Sequence, residues 1–139
     1  MAAAVAIALA IAGCSPSPQT FTLNVTVQAP FDPVVIAGSD VEEHPIGSTC
    51  QGGFDDSRAD LSHATLYVQD EHGKTLQSQV LTSGKVERYA DIFRSCSIKV
   101  RVTDVPATGK KYRVKVGKST SALVSPSKAI KGFGFNVNP

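Results

Sequence analysis

Tryptophan is absent from the 139 residues, methionine occurs once and aromatic residues make up only 6%. Without tryptophan, the Cys-Trp-Cys core of a true immunoglobulin domain is excluded. Signatures of chemistry are missing too. There is no G-x-S-x-G turn, and no partner base can be identified for the hydroxyls of Lys118-Ser119-Thr120-Ser121, so the chain is read as a non-enzyme. His44, His63 and His72 stand far apart and outside any H-x-x-x-H or H-E-x-x-H spacing, so neither zinc nor another cofactor is expected. Asp40, Glu42, Glu43, Asp55, Asp56 and Asp60 do not follow the D-x-D-x-D-G order of a calcium loop and read as loop solvation and helix capping. No repeat of fixed period is present.

Positive charge is missing from the first part of the chain. Six carboxylates, Asp32, Asp40, Glu42, Glu43, Asp55 and Asp56, precede the first basic residue, Arg58. All fourteen Lys and Arg lie from there onward with the other six acidic residues, so the first part carries −6 and the second +8 within a net +2. The leader is equally bare, with no Lys or Arg between Met1 and the apolar run that begins at Ala2. Secretory signals normally start with positive charge, so either the signal is a weak one or the true start lies upstream.

What is there is most informative at Ile11-Ala12-Gly13-Cys14. The run from Ala2 to Ala12 is too short to span a bilayer as a helix but suits the apolar region of a secretory signal. Its ending has the form of a lipobox. Attachment of a diacylglyceryl group needs a thiol at the membrane surface, and cleavage before that cysteine needs small residues such as Ala12 and Gly13. Residues 1–13 are therefore expected to be a lipoprotein signal peptide, Cys14 the lipidated residue, and residues 14–20 a Ser/Pro tether. Acyl chains on Cys14, palmitate among them, would hold the protein stably on the outer face of the cell membrane, because two chains normally suffice.

Cys50 and Cys96 are then left as a pair in an oxidising compartment, where a structural disulfide is expected. Neither lies in a C-x-x-C or close to a histidine. On the chain-entropy model such a bridge stabilises the fold by about 4 kcal/mol.

The remainder, residues 21–139, reads as one β-sandwich domain of about seven strands. Phe21, Leu23, Val25 and Val27 alternate with polar residues as a half-buried strand ended by Pro30. A shorter apolar run follows from Pro33 to Ala37. Gly38 to Ser62 reads as a long loop pinned by Cys50, with one helical turn after Asp55-Asp56. Ala64 to Gln69 and Lys74 to Leu81 form a hairpin signal around Gly73, and the exposed His72 belongs to its turn. Val86 to Phe93 suits a helical face or a strand equally. Ile98, Val100 and Val102, then Tyr112, Val114 and Val116, alternate on either side of a Pro106 to Gly109 turn and predict a second hairpin. Phe133, Phe135 and Val137 predict a core-filling final strand, with an exposed phenylalanine patch as the alternative.

If that second hairpin forms, Lys99, Arg101, Arg113 and Lys115 share its outer face, joined near the turn by Lys110 and Lys111. Like charges opposed on a sheet repel, so a cationic face implies either an anionic partner or enough solvent for screening. Lys99, Arg101, Lys111, Arg113 and Lys115 are thus a candidate anion-binding face, and a solvated face that keeps the sheet from aggregating is the plainer reading. Phospholipid headgroups, an acidic wall polymer or DNA phosphates would fit it. No aromatics interleave the stripe, so specific nucleic-acid binding is not expected. The acidic loop could also pair with the stripe of a neighbouring copy.

The order strand, Asp-x-x-Gly-Lys turn, strand, Gly turn, Val-Pro turn and Tyr-x-Val resembles prealbumin-like and carboxypeptidase-regulatory-like sandwiches, an analogy of fold alone. Cys50-Gln-Gly-Gly-Phe-Asp-Asp56, Leu66-Tyr-Val-Gln-Asp-Glu-His-Gly-Lys74, Cys96-Ser-Ile-Lys-Val-Arg-Val-Thr-Asp-Val-Pro106 and Tyr112-Arg-Val114, in that order, resemble the small lipoproteins of actinobacteria and their phages. The resemblance runs from about Ile11 to Val116. It implies an exported, lipid-anchored β-sandwich with one disulfide and transfers no catalytic residue. Its functional expectation is a non-enzymatic binding domain in the cell envelope, with an envelope or phage protein or an anionic surface as partner. A prophage-type form would exclude incoming phage. A carrier of a small apolar ligand and, further off, a cell-wall hydrolase are the alternatives.

Overall fold

The computed structural model describes residues 13, 19–31, 44–51, 61, 63–89 and 94–137. The leader, Cys14, the Pro33 to Ala37 run, the Asp55-Asp56 turn and most of the acidic loop lie outside the described residues. Among those described, no helix is long and apolar enough to cross a membrane.

β1 (Thr20–Phe31) forms because its apolar residues fall on every second position; Leu23, Val25, Val27 and Ala29 are buried, and the intervening Asn24, Thr26 and Gln28 face outward. It pairs antiparallel with β6 (Arg94–Pro106), which alternates in the same way through Ile98, Val100 and Val102. β5 (Gly84–Arg88) takes the other flank of β6, with β2 (Thr49–Cys50) beyond it. β9 (Phe133–Asn136) adds to the free flank of β1 in parallel. The first sheet is therefore β2-β5-β6-β1-β9.

The second sheet is smaller. The hairpin of β3 (Thr65–Asp70) and β4 (Thr75–Val80) forms as the alternation predicts. Its turn is held by Asp70, whose Oδ1 accepts from the N–H groups of His72 and Lys74 at 2.9 Å, while Gly73 supplies the positive φ of 83°. β3 pairs on its other side with β7 (Tyr112–Val116), followed by the two-residue β8 (Ser119–Thr120), giving the order β4-β3-β7-β8. The inner faces of the two sheets enclose one core, in which Leu23, Val27, Leu66, Val68, Val102, Val114 and Tyr112 are at most 1% exposed. The architecture is an all-β sandwich.

One connection corrects the sequence reading. The second hairpin does not form, because β7 is paired along its whole length with β3 and on its other flank with β8 and Val124, while β6 pairs along its length with β1 and from Arg94 to Ser97 with β5. The chain instead crosses between the sheets at Pro106 to Lys111. The Tyr112 hydroxyl fastens this corner, donating to the Gly109 carbonyl at 3.0 Å and accepting from its N–H at 3.2 Å. Such tyrosine corners recur where sandwich strands change sheet. The ring beneath meets Phe21 edge to face at 4.9 Å.

Cys50 and Cys96 are bonded, with S–S 2.02 Å and Cα atoms 5.8 Å apart across a sequence separation of 46. Both are buried, so the bridge ties β2 to β6 inside the core. A short helix, α1 (Pro126–Lys131), precedes β9 and was not expected. The Ser125 side chain caps it by accepting from the Lys128 N–H, Pro126 opens it, and Ala129 is fully buried.

Candidate anion-binding groove

The pairings of β1 build a cationic site on the outer face of the first sheet. Thr26 stands opposite Lys99 on one side and Gly134 on the other, and Asn24 stands opposite Arg101. Alternation puts all of these on the face away from the core. Gly134 brings no side chain, so the row Gly134, Thr26, Lys99 is open at one end. The last turn of α1 forms a wall, held by the Asn24 side-chain amide, which donates to the Ile130 carbonyl at 2.7 Å. The result is a groove of about 510 Å³, open to solvent, lined by Asn24, Thr26, Lys99, Arg101, Lys131, Phe133 and Gly134 together with Val25, Val100 and Gly132.

Three cations, Lys99, Arg101 and Lys131, therefore converge on one depression. Among the described residues no carboxylate pairs with any of them. A depression lined by one sign of charge concentrates counter-ions, and the Thr26 hydroxyl can add a hydrogen bond. Among its lining residues there is neither carboxylate nor imidazole to move a proton. This donor set suits holding an anion.

The sequence-predicted face is divided. Lys99 and Arg101 stay together in the groove, whereas Lys111, Arg113 and Lys115 do not join them. Arg113 and Lys115 lie on β7, on the outer face of the opposite sheet, and Lys111 sits at the corner between the sheets. Two of the three have local neighbours. Arg113 Nε donates to Gln69 Oε1 at 3.2 Å, and Lys115 stands opposite Tyr67. At the corner the Glu71 carboxylate accepts from the Lys110 N–H at 3.1 Å and weakly from that of Lys111 at 3.5 Å. The Glu71 carboxyl is held below its ordinary range first by its own backbone N–H and then by that of Lys110, against an opposing effect of burial, with lesser help from the Lys111 N–H and His72.

Lys131 and Gly134 were missed. Ser125-Pro126 at the start, with Lys131-Gly132 at the end, is a readable helix signature, but only the parallel pairing of β9 with β1 brings that helix to Lys99 and Arg101. The other candidates stay apart. His63 and His72 are exposed, His72 lies 3.9 Å from Glu71, and the His44 carbonyl accepts from Arg94. Among the described residues no group of three or more His, Cys, Asp or Glu is gathered. Phe135 and Val137 fill the core, and Phe133 is half-buried at the groove. No family model, curated protein or solved structure matches the chain.

Proposed function

We propose that the protein is a non-enzymatic binding domain, held on the outer face of the cell membrane by lipid on Cys14, whose working surface is the cationic groove. The observation that carries the reading is the convergence of Lys99, Arg101 and Lys131, without carboxylate partners among the described residues, on about 510 Å³ of open space. The Ile11 to Cys14 motif supports the anchor, and the buried Cys50–Cys96 bridge suits an oxidising compartment. A cationic lining favours an anionic ligand over the small apolar molecule of a carrier.

The test has two arms. Mass spectrometry of the native product is expected to find Cys14 as the first residue with a lipid mass, and Cys14→Ser is expected to turn a salt-resistant membrane association into one that high salt removes. Titration of the Cys14→Ser chain with glycerol 3-phosphate, followed by NMR, is expected to shift the amides of Thr26, Lys99, Arg101 and Gly134 together. A native product that keeps residues 1–13 and carries no lipid sinks the anchor; shifts scattered over both sheets sink the groove. A phage-exclusion role predicts in addition that expression protects cells and that Cys14→Ser abolishes protection.

A further inference from the structure

We infer that the anion taken by the groove is the phosphate of an anionic phospholipid in the membrane to which the protein is tethered, so that the domain lies down on the bilayer through this face. The inference rests on the reading just given and names the ligand of that same site.

Beside the three cations, the structure supplies what a free anion would not need. Ile130, next to Lys131 in α1, is 49% exposed, and its carbonyl is held by Asn24 of the groove. Lys128 is exposed on the same short helix. An exposed aliphatic side chain between lysines is what a surface needs to seat an apolar group among acyl chains and cations among headgroups. A soluble phosphate satisfies only the cations.

Chain length agrees. Gln19 is fixed to the domain, its carbonyl accepting from the Ala107 N–H at 2.9 Å. It lies five chain steps from Cys14, a reach of at most about 18 Å fully extended. The groove begins a further five to seven residues along β1, about 16–23 Å at strand rise. An upright domain would hold the groove well above the headgroups; a reclining one brings it to them. Tethering at this range raises the effective headgroup concentration, so a weak site is filled without high intrinsic affinity.

The experiment uses residues 14–139 carrying Cys14→Ser, the expected mature chain, so that neither a lipid modification nor the apolar run before it contributes to binding. Co-sedimentation with phosphatidylglycerol vesicles is compared with phosphatidylcholine vesicles and with titration by glycerol 3-phosphate. Binding to the anionic vesicles only is expected, weakened about fivefold for each cation neutralised in Arg101→Gln and Lys131→Gln. Ile130→Ser is expected to weaken vesicle binding severalfold and leave glycerol 3-phosphate binding unchanged. Gly134→Leu, which fills the groove without removing charge, is expected to abolish both. Its fold is checked by thermal melting, and the exposed-charge variants stand independently if it fails to fold. Glycerol 3-phosphate binding with no vesicle binding overturns the membrane assignment and leaves the groove reading intact. Vesicle binding that survives all four variants also overturns it, and binding to neither probe overturns both.

Discussion

The two outer faces of the sandwich carry cations drawn from the same kind of strand. On the first sheet, Lys99 and Arg101 border a gap left by Gly134 and a wall made by α1, and Lys131 arrives from that wall. On the second sheet Arg113 is hydrogen-bonded to Gln69 and lies against Gly73, and Lys115 stands opposite Tyr67 on one side and Thr120 on the other. Identical residue types thus line a groove on one face and stand on open surface on the other. What differs is the relief around the charges.

The largest expected effect removes what secures the first sheet. Cys50→Ala with Cys96→Ala is expected to lower unfolding free energy by about 2–5 kcal/mol, measured by denaturant titration. β2 should loosen first, which hydrogen exchange at Gly47 and Val86, whose N–H groups bond across this edge, would register. Protection there equal to that of the parent would show that the bridge is not what holds this edge.

The comparison itself is broken or sharpened by matched pairs. Neutralising Arg101 and Lys131 together is expected to weaken glycerol 3-phosphate binding by up to about 2 kcal/mol, some thirtyfold, at up to about 1 kcal/mol per exposed ion pair. Neutralising Arg113 and Lys115 is expected to change it by less than about threefold, the residual being long-range and removed by salt. Equal losses from the two pairs would mean that net charge, not the groove, attracts the anion.

Next comes the corner that separates the faces. Tyr112→Phe keeps the ring against Phe21 but removes the hydroxyl that holds Gly109, for an expected loss of about 1–2 kcal/mol in thermal or chemical unfolding. An unchanged stability would assign the crossing to strand pairing alone.

The smallest effect concerns Glu71. Its folded carboxyl titrates below its ordinary value, because the charged form accepts backbone N–H bonds at the corner. Its contribution is therefore fully present above the ordinary carboxylate range and is lost as pH falls through the lowered folded value. Glu71→Gln is expected to flatten that part of the stability profile between neutral and acidic pH, and a superimposable profile would remove Glu71 from the account.

Several features were readable from local residues. The β3–β4 hairpin follows from Asp70 and Gly73, which make its turn within five residues. The disulfide followed from counting cysteines once Cys14 was set aside, and the core strand at Phe135 from its alternation. The β6–β7 connection was not readable, since alternation on both sides of a proline turn looks the same whether the next strand returns alongside or crosses the core. The inward residues Ile98, Val100, Val102, Tyr112, Val114 and Val116 were identified correctly, and all are buried. Their outward neighbours were wrongly placed on one face. α1 carries cap signals but is only six residues long, too short for a periodic stripe.

By itself, then, the order of residues determined which side chains turn inward, where tight turns fall and that the class is all-β, because these depend on periods of two and on contacts within a few residues. Tertiary structure alone decided which strands are neighbours. Pairing of β1 with β6 and β9 joins residues about 75 and 110 positions apart, whose preference is set by how many flanks each strand has free and how the core closes. That choice divided the five expected cations between the sheets, kept Lys99 and Arg101 together and brought Lys131 to them.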